Sequence, residues 1–458
     1  MTDSPEHPSP ETLSPEELMA LDNRHIWHPF TQHGTESAPL LIKSAKAATL
    51  TLGDGSELLD LISSWWTCTH GHSHPALNAA LAEQANAYEH VMFAGFTHAP
   101  AISVASRLVN LLPGDLNRVF YSDDGSTAVE VALKIAYQHW SNQGEPRNVF
   151  IALDGGYHGD TVGAMSVGKG CGFFSLFRDL MCEVQVLPYP STFIGDDEVE
   201  EKEDGAIAAL ERLIEEYPDQ IAGMILEPLL QGAGGMRVSR PSFLTRLVET
   251  AQAAGILVIF DEVATGFGRT GTMFAMEQAG VVPDMVCVSK CLTAGYLPMA
   301  ATVVRDELFD SFIGDSFSRA LAHGHSFTAN PLACAVSLRS LQLFEEENTL
   351  KRIGEIAEKH RGFLERIADR PDVTWPRQVG SIMAFDVKGS PDYQSAQSRT
   401  LKDWFLSNGL NIRPLGSTVY LMPPFCITDA ELDRAYEGII EGLDRLAAAE
   451  LSMDDKRP

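Results

Sequence analysis

The order in which apolar runs and helical stretches alternate constrains this chain more than any other feature. Short runs at 118–122, 149–153, 223–227, 256–261 and 285–289 are rich in apolar and β-branched residues, the pattern of strands buried on both faces. Helical stretches, among them 126–140 and 241–254, lie between them. That alternation predicts an α/β fold, a large mixed or mostly parallel sheet with helices on both faces. A chain of 458 residues exceeds what one core holds, so a second, smaller domain is expected. We expect residues 75–335 to form the large domain. Residues 336–458 are expected to form an α+β small domain, entered through one long helical stretch at 335–368. Residues 14–74 are expected to pack with that small domain. They open on a helix that Ser14 caps, with Pro15 in the first turn and Glu17 completing a capping box. Short strands follow within 40–62, turning at Gly53-Asp54-Gly55. Residues 1–13, rich in Pro, Ser, Glu and Thr, are expected to be disordered.

Charge narrows the function classes. Lys and Arg total 34 against 62 Asp and Glu, a formal net charge of −28. Such a surface repels nucleic-acid phosphate and anionic lipid, so neither is expected as a partner. The N-terminus lacks the basic, apolar and small-residue order of a signal peptide. The seven cysteines form no Cys-x-x-Cys pair and read as buried free thiols of a reducing compartment. A cytoplasmic location is expected.

Open α/β sheets bind ligands at the carboxyl ends of their strands. Three such ends carry polar residues here. Asp261 closes 256–261, and Lys290 follows 285–289. Ser122 runs into Asp123-Asp124-Gly125-Ser126-Thr127, which opens a helix. Gly125 permits a tight turn, and the free N–H groups and positive dipole of a helix start suit a phosphate. A lysine amine, a carboxylate and a phosphate cradle at neighbouring strand ends suit pyridoxal phosphate. Lysine takes its aldehyde, and the acid keeps its ring nitrogen protonated.

These residues resemble a known family. Asp261-Glu262-Val263, Gly266-Phe-Gly-Arg-Thr-Gly271 and Ser289-Lys290 are similar to the signature of the class III pyridoxal-phosphate-dependent aminotransferases. So are Glu227-Pro228 with Gln231 to Met236, and Asn330-Pro331 with Cys334. Narrower motifs resemble the branch of that family that aminates 8-amino-7-oxononanoate in biotin biosynthesis: His25 to Pro29, Ser63-Ser64-Trp65-Trp66, His90 to Phe93, Thr97 to Pro100, Tyr157-His158-Gly159-Asp160 and Leu421 to Pro424. The likeness runs from about residue 23 to residue 445. It implies the type I pyridoxal-phosphate fold and a homodimer with shared sites. It implies Lys290 as the catalytic lysine that holds the cofactor and shuttles the proton, with Asp261 on the ring nitrogen and Gly125 and Ser126 on the phosphate. Tyr157 would stack on the ring and touch substrate, with Trp65 and Phe30 in the substrate pocket. Arg413 would take the carboxylate of the oxo acid. Gly324, His325 and Ser326 would reach the site of a second subunit, Ser326 on its phosphate. S-adenosylmethionine is the implied donor; lysine is the alternative donor, and another ω-aminotransferase of the class the alternative activity.

Two departures stand out. Phe30 occupies a position where many members have Tyr, and His325-Ser326 one where some have Pro-Thr. The first removes a hydroxyl from the substrate pocket; the second keeps one for phosphate. Two further motifs mislead. Residues 266–271 fit the dinucleotide pattern G-x-G-x-x-G, but they lie five residues past the strand and no ribose-binding acid follows at the right distance. The alternating His70, His72 and His74 lack a carboxylate or cysteine in recognisable spacing and read as a hydrogen-bonded loop, not as a metal site.

Overall fold

The computed structural model describes residues 13–389 and 395–454, with the backbone alone at 171 and 449–454. The stretch 1–13 expected to be disordered lies, but for its last residue, outside them. The first helix, Pro15–His25, starts at the expected capping box. Ser14 Oγ accepts from Glu17 N–H at 3.2 Å, and Glu17 Oε2 accepts from Ser14 N–H at 2.7 Å. Strands β1 (Ile42–Lys46), β2 (Thr49–Leu52) and β3 (Glu57–Asp60) follow as an antiparallel meander, turning at 53–56.

The large sheet is built from β4 (Leu116–Ser122), β5 (Val149–Leu153), β6 (Gln185–Leu187), β7 (Ile221–Leu226), β10 (Leu257–Asp261), β11 (Met285–Val288) and β12 (Ala300–Arg305). A two-stranded ribbon, β8 (Leu230–Gln231) with β9 (Arg237–Val238), lies between β7 and β10 in sequence. The sheet order is β4-β12-β11-β10-β7-β5-β6. Every pairing is parallel except the two made by β12, which runs antiparallel between β4 and β11. The central strands β7, β10 and β11 are buried at every residue, as strands covered by helices on both faces must be. Truncating one of their large side chains, such as Phe260→Ala, would cost about 3–5 kcal/mol. Each of the five runs read from sequence coincides with a strand, three of them overrunning it by one residue. The sequence reading left out β6 and β12: β6 is three residues long, and β12 (Ala-Ala-Thr-Val-Val-Arg) begins on small residues that carry little strand signal.

The C-terminal part contains β13 (Val373–Val379), β14 (Ile382–Val387), β15 (Leu410–Asn411) and β16 (Thr418–Leu421). Strands β13, β14 and β16 form an antiparallel sheet. Strand β15 instead adds to the N-terminal meander, pairing parallel with β3 through Leu410 and Leu59. The single helical stretch expected at 335–368 is two helices, Pro331–Glu346 and Thr349–Ile367. Asn348, at φ +51, breaks them; Asn tolerates the left-handed region better than most residues. Asn330 caps the first of the two, its Oδ1 accepting from Leu332 and Ala333 N–H. Among the described residues no helix is long and apolar enough to cross a membrane.

The dinucleotide look-alike has a structural use. Arg269 is fully buried. Its guanidinium donates to Pro423 O at 2.7 Å and Cys68 O at 3.2 Å and lies 4.6 Å from the Phe425 ring centroid. It ties the loop after β10 to both terminal regions. The three histidines are each held by protein groups: His70 reaches Ser340, His72 reaches Asp60, and His74 reaches Glu347, which His70 also approaches at 3.9 Å.

Candidate active site

The polar strand ends meet in one cavity of about 470 Å³. Its walls include Asp123 to Ser126 after β4, Tyr157 and His158 after β5, and Glu227 after β7. Asp261 of β10, Lys290 after β11, and Met299 before β12 complete them. Parallel strands deliver all of these at their carboxyl ends. The antiparallel β12 contributes its start at the same level, where Ser289 Oγ donates to Met299 O at 2.9 Å.

At the floor, Asp261 is buried. Its Oδ2 accepts from His158 Nδ1 at 2.7 Å and its Oδ1 from Val263 N–H at 3.0 Å. His158 Nε2 is buried without a hydrogen-bond partner among the described residues. Lys290 is half-buried, with Nζ 5.0 Å from the Trp66 ring centroid. Burial pushes its amine below the usual lysine range, opposed by the charges of Asp261 and Glu227. A lysine so shifted supplies more neutral amine, the form that acts as nucleophile and base. Its backbone sits at φ +20, a sparsely populated conformation of the kind that clusters at functional sites. Glu227 is buried too, and desolvation raises its carboxyl to about 7. It accepts from Tyr157 N–H at 3.0 Å and Gly232 N–H at 2.9 Å, so it fixes the loop that carries Tyr157.

The helix Gly125–Gln143 starts at this cavity. Asp124 caps it, accepting from Thr127 N–H at 2.9 Å. A Cβ at Gly125 would come within 2.8 Å of Val263 Cγ1, so only glycine lets the helix start approach the end of β10 this closely.

Of the other expected residues Tyr157 is a wall of this cavity, whereas Phe30, Trp65 and Arg413 are not. Phe30 and Trp65 are 41% and 42% exposed, with ring centroids 5.7 Å apart in an edge-to-face contact. The Arg413 guanidinium lies 5.4 Å from the Trp65 ring centroid. Tyr157 stacks on Phe174 and donates its hydroxyl to Asp160 at 3.1 Å. Gly324, His325 and Ser326 are not among the cavity walls. His325 Nδ1 lies 3.7 Å from Asp123 Oδ2, and its Nε2 lies 3.1 Å from His323 Nε2.

Sequence reasoning gave no role to His158 or Glu227 and offered Trp66 only as one of several aromatic surfaces for the donor. The first two had a signal: His158 follows Tyr157, already singled out, and Glu227 closes a strand run, as Asp261 does. For Trp66 only the fold could separate it from Trp65, because adjacent indoles point one inward and one outward.

A half-buried amine, a carboxylate held by a histidine, an unpartnered histidine nitrogen and a glycine-tight helix start fit a cofactor that carries an aldehyde, a basic ring nitrogen and a phosphate. Among the described residues no cluster of His, Cys, Asp and Glu is placed to hold a metal ion.

The sequence model of the family described as class III aminotransferases matches residues 30–443. The chain is 47% identical over 423 residues to the adenosylmethionine-8-amino-7-oxononanoate aminotransferase of Synechococcus elongatus, covering 92% of this chain and 99% of that one. It is 39% identical to the enzyme of the same name from Geobacter sulfurreducens, covering 91% and 95%. Among solved structures it is similar to the adenosylmethionine-8-amino-7-oxononanoate aminotransferase of Methanocaldococcus jannaschii, with a TM-score of 0.88 and 32% identity over 93% of this chain and 98% of that one. It is also similar to an amine transaminase from an uncultivated Pseudomonas species in a PLP-bound form, with a TM-score of 0.84 and 31% identity over 92% and 99%.

Proposed function

Because the chain belongs to the class III aminotransferases, we propose that it converts 8-amino-7-oxononanoate to 7,8-diaminononanoate in biotin biosynthesis, with S-adenosylmethionine as amino donor and pyridoxal 5′-phosphate as cofactor. Its mixed sheet and flanking helices are those of the type I pyridoxal-phosphate-dependent transferases. The observation that supports the reading most is the convergence of Lys290, Asp261 and the Gly125 helix start on one cavity.

Bound there, pyridoxal phosphate supplies an aldehyde for the amine and a protonated ring that takes up electrons from the reacting carbon. Lys290 would hold the cofactor through its side-chain amine, and that amine, once free, would carry the proton from the donor carbon to the carbon that bore the aldehyde. Asp261, oriented by His158, keeps the ring nitrogen protonated through a charge-assisted hydrogen bond. Gly125 and Ser126 hold the phosphate with backbone N–H groups at the helix start. Tyr157 covers the ring. Arg413, with Trp65 and Phe30 beside it, binds the carboxylate of the long apolar acceptor; arginine suits that task because it can bind both oxygens.

The enzyme works as a homodimer in the cytoplasm, with Gly324, His325 and Ser326 completing the site of a second subunit. Large exposed apolar side chains, among them Trp27 at 90%, Phe317 at 81%, Phe96 at 63% and Met92 at 59%, are available to a dimer interface. Residues 75–335 form the cofactor-binding domain, and residues 14–74 act with 336–458 as the small domain, a division that the pairing of β15 with β3 supports.

The test is a half-reaction. The yellow enzyme as purified is mixed with S-adenosylmethionine or with lysine, and then with 8-amino-7-oxononanoate. S-adenosylmethionine is expected to bleach the yellow absorbance and the oxo acid to restore it. Bleaching by lysine alone would overturn the donor assignment, and failure of the oxo acid to restore the colour would overturn the acceptor.

A further inference from the structure

Residues Ser63 to Trp66 make one turn of left-handed helix. Their φ angles are +51°, +44°, +75° and +73°. Trp66 N–H donates to Ile62 O at 2.8 Å and Thr67 N–H to Ser63 O at 3.0 Å. In a left-handed helix each Cβ crowds the following carbonyl oxygen, so consecutive residues of this kind need support from outside the turn. Three side-chain bonds supply it. Ser63 Oγ donates to Met422 O at 2.7 Å, and Trp66 Nε1 donates to the Tyr420 hydroxyl at 3.0 Å. Ser64 Oγ donates to Asp60 Oδ2 at 2.9 Å.

Asp60 closes β3 and is fully buried. Its carboxylate is held by more than Ser64. His72 Nε2 lies 2.9 Å from Oδ2, and Asn411 Nδ2 donates to Oδ1 at 3.1 Å. Asn411 belongs to β15, the strand that pairs with β3, so the acid is fixed from two directions. Ser64 itself is exposed, and water could satisfy its hydroxyl; the bond to Asp60 instead pins the residue with the smallest φ of the turn. The next two side chains diverge. Trp66 packs inward 5.0 Å from Lys290 Nζ, and Trp65 lies outward between Phe30 and Arg413.

We propose that Asp60, acting through Ser64, is a positioning residue: it holds the Ser63–Trp66 turn left-handed and thereby places Trp65 at the substrate mouth and Trp66 against Lys290. The inference rests on the reading above in one respect, that the mouth between Trp65 and Arg413 takes the acceptor.

Glycine and alanine at position 64 separate positioning from simple loss of a contact. Both remove the bond to Asp60, but glycine takes a positive φ without the Cβ clash and alanine does not. In the holoenzyme Ser64→Ala is expected to raise the KM for 8-amino-7-oxononanoate roughly 5–20-fold with kcat within about twofold, and Ser64→Gly to stay within about threefold of the parent in both. A crystal structure of Ser64→Ala should show the turn leaving the left-handed region and the Trp65 ring leaving Phe30. Equal KM values for Ser64→Ala and the parent, or equal damage by both substitutions, would overturn the proposal, as would an unmoved turn in Ser64→Ala. If the parent does not aminate this acceptor, the proposed function fails, and the dihedral angles of Ser64→Ala still decide whether Asp60 positions the turn.

Discussion

The floor and the mouth of this site are built by different means. At the floor, Asp261, Glu227 and Lys290 sit at or just after the ends of strands buried at every residue; backbone N–H groups and His158 fix the two carboxylates, and Lys290 Nζ lies 5.0 Å from the Trp66 ring. At the proposed mouth, Phe30, Trp65 and Arg413 come from three segments far apart in sequence, and two of the three are rings more than a third exposed. A sheet places the floor residues as a by-product of its own packing, so the floor serves any reaction that needs a lysine-held cofactor. Loops can change without disturbing the core, so the mouth is the region that can set the choice of substrate. Variants at the floor should therefore damage chemistry with every substrate, and variants at the mouth should damage binding of one.

The largest effect is expected at Lys290. General acid–base catalysis contributes about 10²–10⁴ in rate, so Lys290→Ala should lower kcat by at least that factor while still binding cofactor. Borohydride reduction followed by peptide mapping should place the cofactor on Lys290 in the parent. Turnover within about tenfold of the parent, or a label on another lysine, would remove the floor from the chemistry.

Arg413→Ala comes next and tests the mouth. It should raise the KM for the oxo acid about 10–100-fold, equivalent to about 1.4–2.8 kcal/mol, and leave the donor half-reaction intact. Equal damage to both half-reactions would erase the distinction between the two regions.

A smaller effect reports on the electrostatics of the floor. Burial holds the Glu227 carboxyl at about 7, above its free value of 4.5. The folded chain therefore keeps a proton that the unfolded chain releases, and the group's contribution to stability falls as pH rises from about 4.5 to about 7. Between pH 5 and 7.5 the Tm of Glu227→Gln should fall less than that of the parent, by on the order of 1 kcal/mol of stability. Parallel Tm profiles would mean that Glu227 is ionised in the folded state.

The smallest effect is expected at Phe30. Its ring already packs edge-on against Trp65, and one neutral hydrogen bond adds only about 0.5–1.5 kcal/mol. Phe30→Tyr should keep or lower the KM for S-adenosylmethionine and leave kcat unchanged. A KM raised in this variant would show that the mouth excludes a hydroxyl at this position.

The sequence by itself determined what local patterns can encode. Apolar runs marked the buried strands, the Ser14 and Glu17 capping box marked a helix start, and Asp261, Lys290 and Gly125 were legible because each stands where a strand signal stops. Hydrophobic period and capping act over a few residues, so one chain read in order displays them. The tertiary structure decided the rest. It split the expected helix 335–368 at Asn348 and inserted β12 antiparallel into the sheet. It set His158 on Asp261 across 103 positions of sequence and Asn411 on Asp60 across 351. It also wound Ser63 to Trp66 left-handed against local preference, sending one of two adjacent indoles to the lysine and the other to the arginine. Such contacts depend on strand order and on which loops the sheet brings together, and a left-handed turn persists only where distant partners hold it.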